Sequence, residues 1–155
     1  VTRAVFERMI CADEFLEYAE VFDYLYGTAR APVEVALTAG QSIVLDIDWQ
    51  GARKVRAAMP EALSVFILPP SLDDLERRLV DRGQDTSEVI QRRMQDAVSE
   101  IGHYREFDYV LVNQDFQTAL EELRGVLQVG RAPRSGEGFD PTAFLRPKKS
   151  GTLER

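Results

Sequence analysis

Only one cysteine, Cys11, and one histidine, His103, occur among the 155 residues. A single cysteine excludes a disulfide within the chain and fits a reducing compartment. Together the two leave no Cys/His cluster for zinc. Cys11 lies in a stretch that reads as helix, where a small buried or half-buried side chain is expected rather than a nucleophile. One histidine without a serine or cysteine partner leaves a catalytic triad unsupported, and a helix-terminus role suits His103 better. Long apolar runs are also missing: none approaches the ~20 residues that span a bilayer. No signal-peptide pattern opens the chain, so a cytoplasmic setting is expected. Positive charge is in deficit, with 19 Lys and Arg against 26 Asp and Glu and a net charge of −7. That balance speaks against a general grip on nucleic acid or an anionic membrane, although local basic clusters can still hold phosphate. The pattern Gly-x-x-x-x-Gly-Lys-[Ser/Thr] does not occur, and no internal repeat is visible.

What is present suits one ordinary domain, with 45% hydrophobic residues to supply a core. The most informative stretch is 42–51, Ser-Ile-Val-Leu-Asp-Ile-Asp-Trp-Gln-Gly. Ile43, Val44 and Leu45 form a short, largely β-branched run that predicts a buried strand. Asp46 and Asp48 close it, and period-two alternation puts both on one side. Gly51 then reads as a tight turn into a helix over 52–59. In open α/β sheets, ligands bind beyond the carboxyl ends of the strands. Two acids there suit a metal–phosphate site, a hydrogen-bonding site for a base, or one of each. Solvated acids in a simple turn are the plainer reading.

Elsewhere, Val5, Phe6, Met9 and Ile10 share one face of a first helix. Residues 13–26 are aromatic and acidic, which suits short strands. A short helix is predicted over 31–39, stopped by Gly40, with Pro32 tolerable in its first turn. A second apolar strand covers 63–68, ended by Pro69 and Pro70. Ser71 with Asp74 predicts a capped helix reaching about Arg82, and Gly83 breaks it. Asp85 with Glu88 predicts the next cap, opening a helix to about Tyr104. A third strand follows over 108–113. Phe116, Leu120, Leu123 and Leu127 mark a closing amphipathic helix. Strands alternating with helices predict a parallel, doubly wound α/β sheet. Residues 131–155, rich in Gly, Pro, Arg, Lys and Ser, read as a mostly disordered tail.

Several smaller sets could carry chemistry. Arg78 and Arg82 are four apart on one helix face, and Arg92 and Arg93 lie beyond the Gly83 break. Arginines on both sides of a loop can meet over a polyphosphate and neutralise a transferring phosphoryl group. Surface pairing with Asp81, Asp85 or Glu88 is the competing account. Glu17 can accept two hydrogen bonds from a base such as guanine, and the hydroxyls of Tyr26 and Thr28 can hold a phosphate oxygen. A half-buried aromatic sheet explains the same residues blandly. Asn113 and Gln114 could hold a base through their amides or simply end a strand. Trp49 reads as a packing residue.

Taken together, these strings resemble the guanylate kinase family. The resemblance rests on Phe15-Leu16-Glu17, Tyr26-Gly27-Thr28, Leu45-Asp46-Ile47-Asp48-Trp49-Gln50-Gly51 and Phe66-Ile67-Leu68-Pro69-Pro70. Arg78-Leu79 through Arg82-Gly83, Arg92-Arg93-Met94 and Asp108-Tyr109 through Asn113 complete it, in family order, over about residues 1–128. The resemblance implies a P-loop-type nucleoside monophosphate kinase fold, a parallel sheet with flanking helices. It implies phosphoryl transfer from ATP to GMP, with magnesium accompanying ATP and no nucleic acid or membrane partner. Glu17 and Asp48 would bind guanine, and Tyr26 and Thr28 the GMP phosphate. Asp46 would lie near the magnesium shell. Arg82 and Arg93, with Arg78 as a third, would act on the transferred phosphoryl. Asn113 and Gln114 would face adenine, although the family often has Asp where Gln114 stands. The implied organisation is the remainder of a GMP-binding subdomain over 1–40, a core over 41–130 with a lid at about 76–94, and the 131–155 tail.

The family's first strand, phosphate loop and first helix have no counterpart here, so the fold implied is incomplete and the chain looks like the C-terminal part of such a kinase. The missing strand would lie between the segments 43–48 and 63–68. Catalysis is then expected to be impaired and the isolated chain marginal or insoluble. The alternative is a non-catalytic guanylate-kinase-like module that binds GMP or a protein.

Overall fold

The computed structural model describes residues 1–21 and 24–130, which form two compact units, 1–62 and 63 onward. In the first, helix α1 (Arg3–Cys11) is followed by strands β1 (Phe15–Val21) and β2 (Tyr24–Ala29) and helices α2 (Arg30–Thr38) and α3 (Trp49–Ala58). The Thr2 side chain caps α1 by accepting from the Val5 amide. Phe6 is buried, with Val5, Met9 and Ile10 half-buried beside it, so the helix buries the face its spacing predicts. The Phe6 ring lies 4.3 Å from that of Phe15, which ties α1 to β1. Strands β1 and β2 are antiparallel, and an irregular step between Phe15 and Glu17 brings Glu17 opposite Thr28. Pro32 sits in the first turn of α2, where its missing N–H costs nothing. Beyond that helix, Gly40 takes a left-handed φ of +74°.

Two expectations for this unit need correction. Residues 41–48 carry no regular secondary structure, so the predicted 42–48 strand is not formed. A strand exists through its ladder, and a β-branched run supplies side chains but no hydrogen-bonding partner. The alternation persists without the ladder: Ile43, Leu45 and Ile47 pack on the buried Leu16, Val33 and Val55, while Val44 is 84% exposed. Cys11, expected buried or half-buried, is exposed at the last position of α1.

The second unit contains β3 (Val65–Leu68), α4 (Leu72–Arg82), α5 (Ser87–Ile101), β4 (Tyr109–Val112) and α6 (Phe116–Val129). Strands β3 and β4 are parallel, from Val65 opposite Tyr109 to Leu68 opposite Val112. Leu68 and Ile101 are buried at the centre, with Phe66, Leu72 and Val110 packed on them. Ser64 and Asp108 clamp the start of the strand pair. The Ser64 amide and hydroxyl donate to one Asp108 oxygen at 2.9 and 2.8 Å, and the Asp108 amide donates back to Ser64 Oγ at 3.1 Å.

Ser71 caps α4, accepting from the Asp74 amide, and Gly83 ends that helix in the left-handed conformation the sequence calls for. Asp85 is not the next cap. Thr86 holds that place and accepts from the Val89 amide, one residue later than the spacing predicts. Helix α5 stops at Ile101, and a 3-10 turn at Tyr104–Glu106 follows, with His103 at its cap position. His103 Nδ1 lies 2.8 Å from Glu106 Oε1, a side-chain pairing within that turn and not a cap of its backbone. Along α6 the stripe is half-covered at Leu120 and Leu123, but Phe116 and Leu127 at its ends are exposed. No helix among the described residues is long and apolar enough to cross a membrane. The predicted tail, 131–155, lies outside the described residues.

Candidate functional site

In the first unit the site grows from the pairing of β1 with β2. Glu17 and Thr28 are direct partners across the ladder, and the Thr28 hydroxyl donates to Glu17 Oε1 at 2.6 Å. Glu17 is only 5% exposed, and a carboxylate so placed needs such a donor. Tyr26 lies two residues before Thr28, on the same face of β2, with its side chain exposed.

Asp48 reaches this place from another direction. It is the N-cap of α3, and its Oδ1 accepts from the Gly51 amide at 2.7 Å while Gln50 Nε2 donates to Oδ2 at 3.2 Å. Helix capping therefore accounts for the position of this acid. An ionised carboxylate has about four acceptor sites, so capping still leaves room for a ligand's donors. Gly51 is not the turn before the helix; it lies inside the first turn of α3 and is buried. A β-carbon built on it would stand 2.8 Å from Glu17 Oε2 and 3.3 Å from Asp48 Oδ1. The two carboxylates thus converge on one α-carbon. Sequence reading joined them only through resemblance, because the β1 and 46–48 segments are remote in the chain.

Asp46 does not join this group. Ile43, Leu45 and Ile47 alternate inward to the core, and Asp46 falls with Val44 on the exposed, outward side of that run. Trp49 is half-buried and carries the Arg53 guanidinium 4.7 Å from its ring centre. Among the described residues no group of three or more His, Cys, Asp or Glu is arranged to hold a metal ion.

In the second unit the arginines have distinct surroundings. Arg78 Nη2 donates to the Asn113 carbonyl at 2.8 Å, tying α4 to the end of β4. That bond uses the backbone of Asn113 and leaves its amide side chain available. Gln114 is exposed, and its backbone amide donates to the Val112 carbonyl at 2.9 Å. Arg93 Nη1 stands 3.0 Å from Asp85 Oδ2, both side chains largely withdrawn from solvent. Asp85 is thus an ion-pair partner of Arg93 and not a cap, and the pair is withdrawn from the surface where such pairing was expected. Arg82 is exposed in the last turn of α4, beside the Gly83 break. Arg77, not a candidate, pairs with Asp74.

Two exposed acids have carboxyl groups below their ordinary range. For Glu88 the main cause is the backbone hydrogen bond in the first turn of α5, then the Thr86 hydroxyl. For Asp115, the N-cap of α6, it is the Thr118 amide at 2.9 Å, then the Thr118 hydroxyl at 3.0 Å. Both shifts belong to helix capping, not to the candidate site.

Comparison with known proteins places the chain in a family. A family model described as guanylate kinase matches residues 1–129. The chain is 54% identical to a guanylate kinase of Methylococcus capsulatus over 142 residues, 88% of this chain and 70% of that protein. It is 55% identical to one of Shewanella oneidensis over 126 residues, 81% of this chain and 61% of that protein. A crystal structure of guanylate kinase from Anaplasma phagocytophilum matches with a TM-score of 0.70 at 36% identity, covering 83% of this chain and 62% of that one. The chain therefore spans between 61% and 70% of the length of these curated relatives.

Proposed function

The chain belongs to the guanylate kinase family, and from that premise we propose that it carries GMP-holding and phosphoryl-facing residues of an enzyme that transfers phosphate from ATP to GMP, giving ADP and GDP. The observation that carries this reading is the meeting of Glu17 and Asp48 at Gly51. Carboxylates only accept, and the guanine edge offers two donors side by side, N1–H and the 2-amino group. Glu17 is already buried and oriented by Thr28, so little ordering remains for binding to supply.

Tyr26 and Thr28, on the same face, take the GMP phosphate. For Thr28 this has a condition: its one hydroxyl proton is engaged by Glu17, and it must turn to donate to a phosphate oxygen. Arg82 and Arg93, with Arg78, offset charge on the transferred phosphoryl, the chief need in such a transfer. Asn113 and Gln114 serve the adenine side. Magnesium bound to ATP would neutralise charge on the β- and γ-phosphates. Asp46, a lone exposed carboxylate, suits an outer contact to an ion that keeps most of its waters and phosphate ligands. A cytoplasmic setting goes with these substrates.

One observation favours a second reading for the 155 residues taken by themselves, a GMP- or protein-binding module without turnover. They contain no Gly-x-x-x-x-Gly-Lys-[Ser/Thr], hence no such nest of amides and lysine for the ATP phosphates. Separate calorimetric titrations with GMP, AMP and ATP, and a coupled assay with ATP and GMP, distinguish the two. GMP binding that weakens on Glu17→Gln supports the guanine site; equal affinity for GMP and AMP removes it. Turnover at ordinary kinase rates would discard the module, and GMP binding with no ATP binding would select it.

A further inference from the structure

Gly51 looks dispensable by every ordinary measure. It lies in the first turn of α3 with a helical backbone, and the left-handed glycines among the described residues are Gly40, Gly83 and Gly130. Alanine would favour the helix there, since glycine has the greater conformational freedom to lose. Nor is Gly51 like Gly125 in α6, where a β-carbon would meet nothing within 4 Å.

What a β-carbon at Gly51 would meet is the Glu17 carboxylate, with Oε2 at 2.8 Å and Cδ at 3.3 Å, and Asp48 Oδ1 at 3.3 Å. The first distance is too short for a real contact, so one group must shift. Glu17 has little room to do so, being buried and held at its other oxygen by Thr28 at 2.6 Å. Asp48 is tied to the same glycine through its amide at 2.7 Å. Both acids thus take their positions from one residue, Asp48 by a hydrogen bond and Glu17 by the space a hydrogen leaves.

We propose that Gly51 is a positioning residue for base recognition: its missing side chain admits the Glu17 carboxylate against the first turn of α3, beside Asp48, and so sets the spacing of the two acceptors. The use of that spacing for guanine rests on the GMP reading above; the steric relation does not. A methyl group there would push the Glu17 carboxylate off its line and press less closely, at 3.3 Å, on Asp48 Oδ1, with no change of charge.

The test is Gly51→Ala in the full chain, with Gly125→Ala as the control for adding a methyl to a helical glycine. Gly51→Ala is expected to move the Glu17 carboxyl carbon resonance in the nucleotide-free protein and to weaken GMP binding by roughly tenfold or more, the loss of a charged hydrogen bond. Gly125→Ala should do neither. In a Glu17→Ala background, Gly51→Ala should change GMP affinity less than about twofold, since coupled residues do not add. An unmoved Glu17 resonance overturns the proposal, as does an equal loss of affinity with and without Glu17. If the unmodified chain binds no GMP, the functional reading falls, and the resonance alone decides the place of Gly51. If Gly51→Ala does not fold, the double variant with Glu17→Ala decides: recovery of the fold supports the steric relation, and failure to recover refutes it.

Discussion

The Thr28 hydroxyl donates to the Glu17 carboxylate across 2.6 Å, joining residues that face each other on β1 and β2. The bond makes a buried charge tolerable in a two-stranded ribbon. Thr28→Val keeps the shape and removes the donor, leaving a buried carboxylate short of a partner. Stability should fall by about 1–3 kcal/mol. Urea denaturation measures it, and an unchanged midpoint would show that solvent already satisfies Glu17.

Asp85 and Arg93 form a second relation, tying the connection after α4 to α5. Their pairing is partly withdrawn from water, so it is worth more than a surface pair and less than a buried one. Asp85→Ala should cost about 1–2 kcal/mol, between those limits. Amide hydrogen exchange over 83–93 should accelerate while that of β3 and β4 stays as it is. Uniform acceleration across both regions would mean that the pair supports the whole unit.

The Ser64–Asp108 clamp sets where β3 and β4 begin their ladder. Ser64→Ala removes the hydroxyl that both accepts and donates there, but keeps the amide bond to Asp108. A loss of about 1–2 kcal/mol is expected, two modest hydrogen bonds between a buried serine and a half-buried acid. Thermal denaturation followed by far-ultraviolet circular dichroism reads this directly.

Asp115 links stability to pH. Its folded carboxyl lies below the ordinary value because the Thr118 amide, then its hydroxyl, favours the charged form. Such a group stabilises the fold above its unfolded pKa, and that contribution disappears as pH falls through the folded one. Asp115→Ala should therefore melt below the unmodified chain at pH 7, with the gap narrowing once pH drops under about 4. A gap that is constant with pH would assign the cap to geometry and not to charge.

Among the described residues β3 pairs only with β4, and Ile67 on it is 56% exposed. An apolar strand edge of this kind invites pairing with another chain. Light scattering by the 155-residue chain should rise with concentration, and Ile67→Lys should reduce the rise. Equal scattering by both would place self-association elsewhere on the surface.

Local signals in the sequence were sufficient for the existence of each α-helix among the described residues and for the β3 and β4 strands. Ser71 with Asp74, the left-handed Gly83 and the Val5–Phe6–Met9–Ile10 face act within a few residues of themselves, where spacing and backbone preference decide the outcome. Family strings likewise named the candidate side chains, since chemical type is carried by the residue alone. The 42–48 run shows the limit. Its side-chain alternation was legible and holds, yet no ladder forms, because a strand depends on a partner that the run itself cannot encode. The same reason left Asp85 undecided between a cap and an ion pair: the cap falls to Thr86, and the pair depends on where Arg93 lies. It also hid Gly51, which in sequence is a turn glycine and in three dimensions is the space beside Glu17. Residue types and helical periods are properties of the chain; the convergence of two acids from remote segments is a property of packing, and only the folded structure decided it.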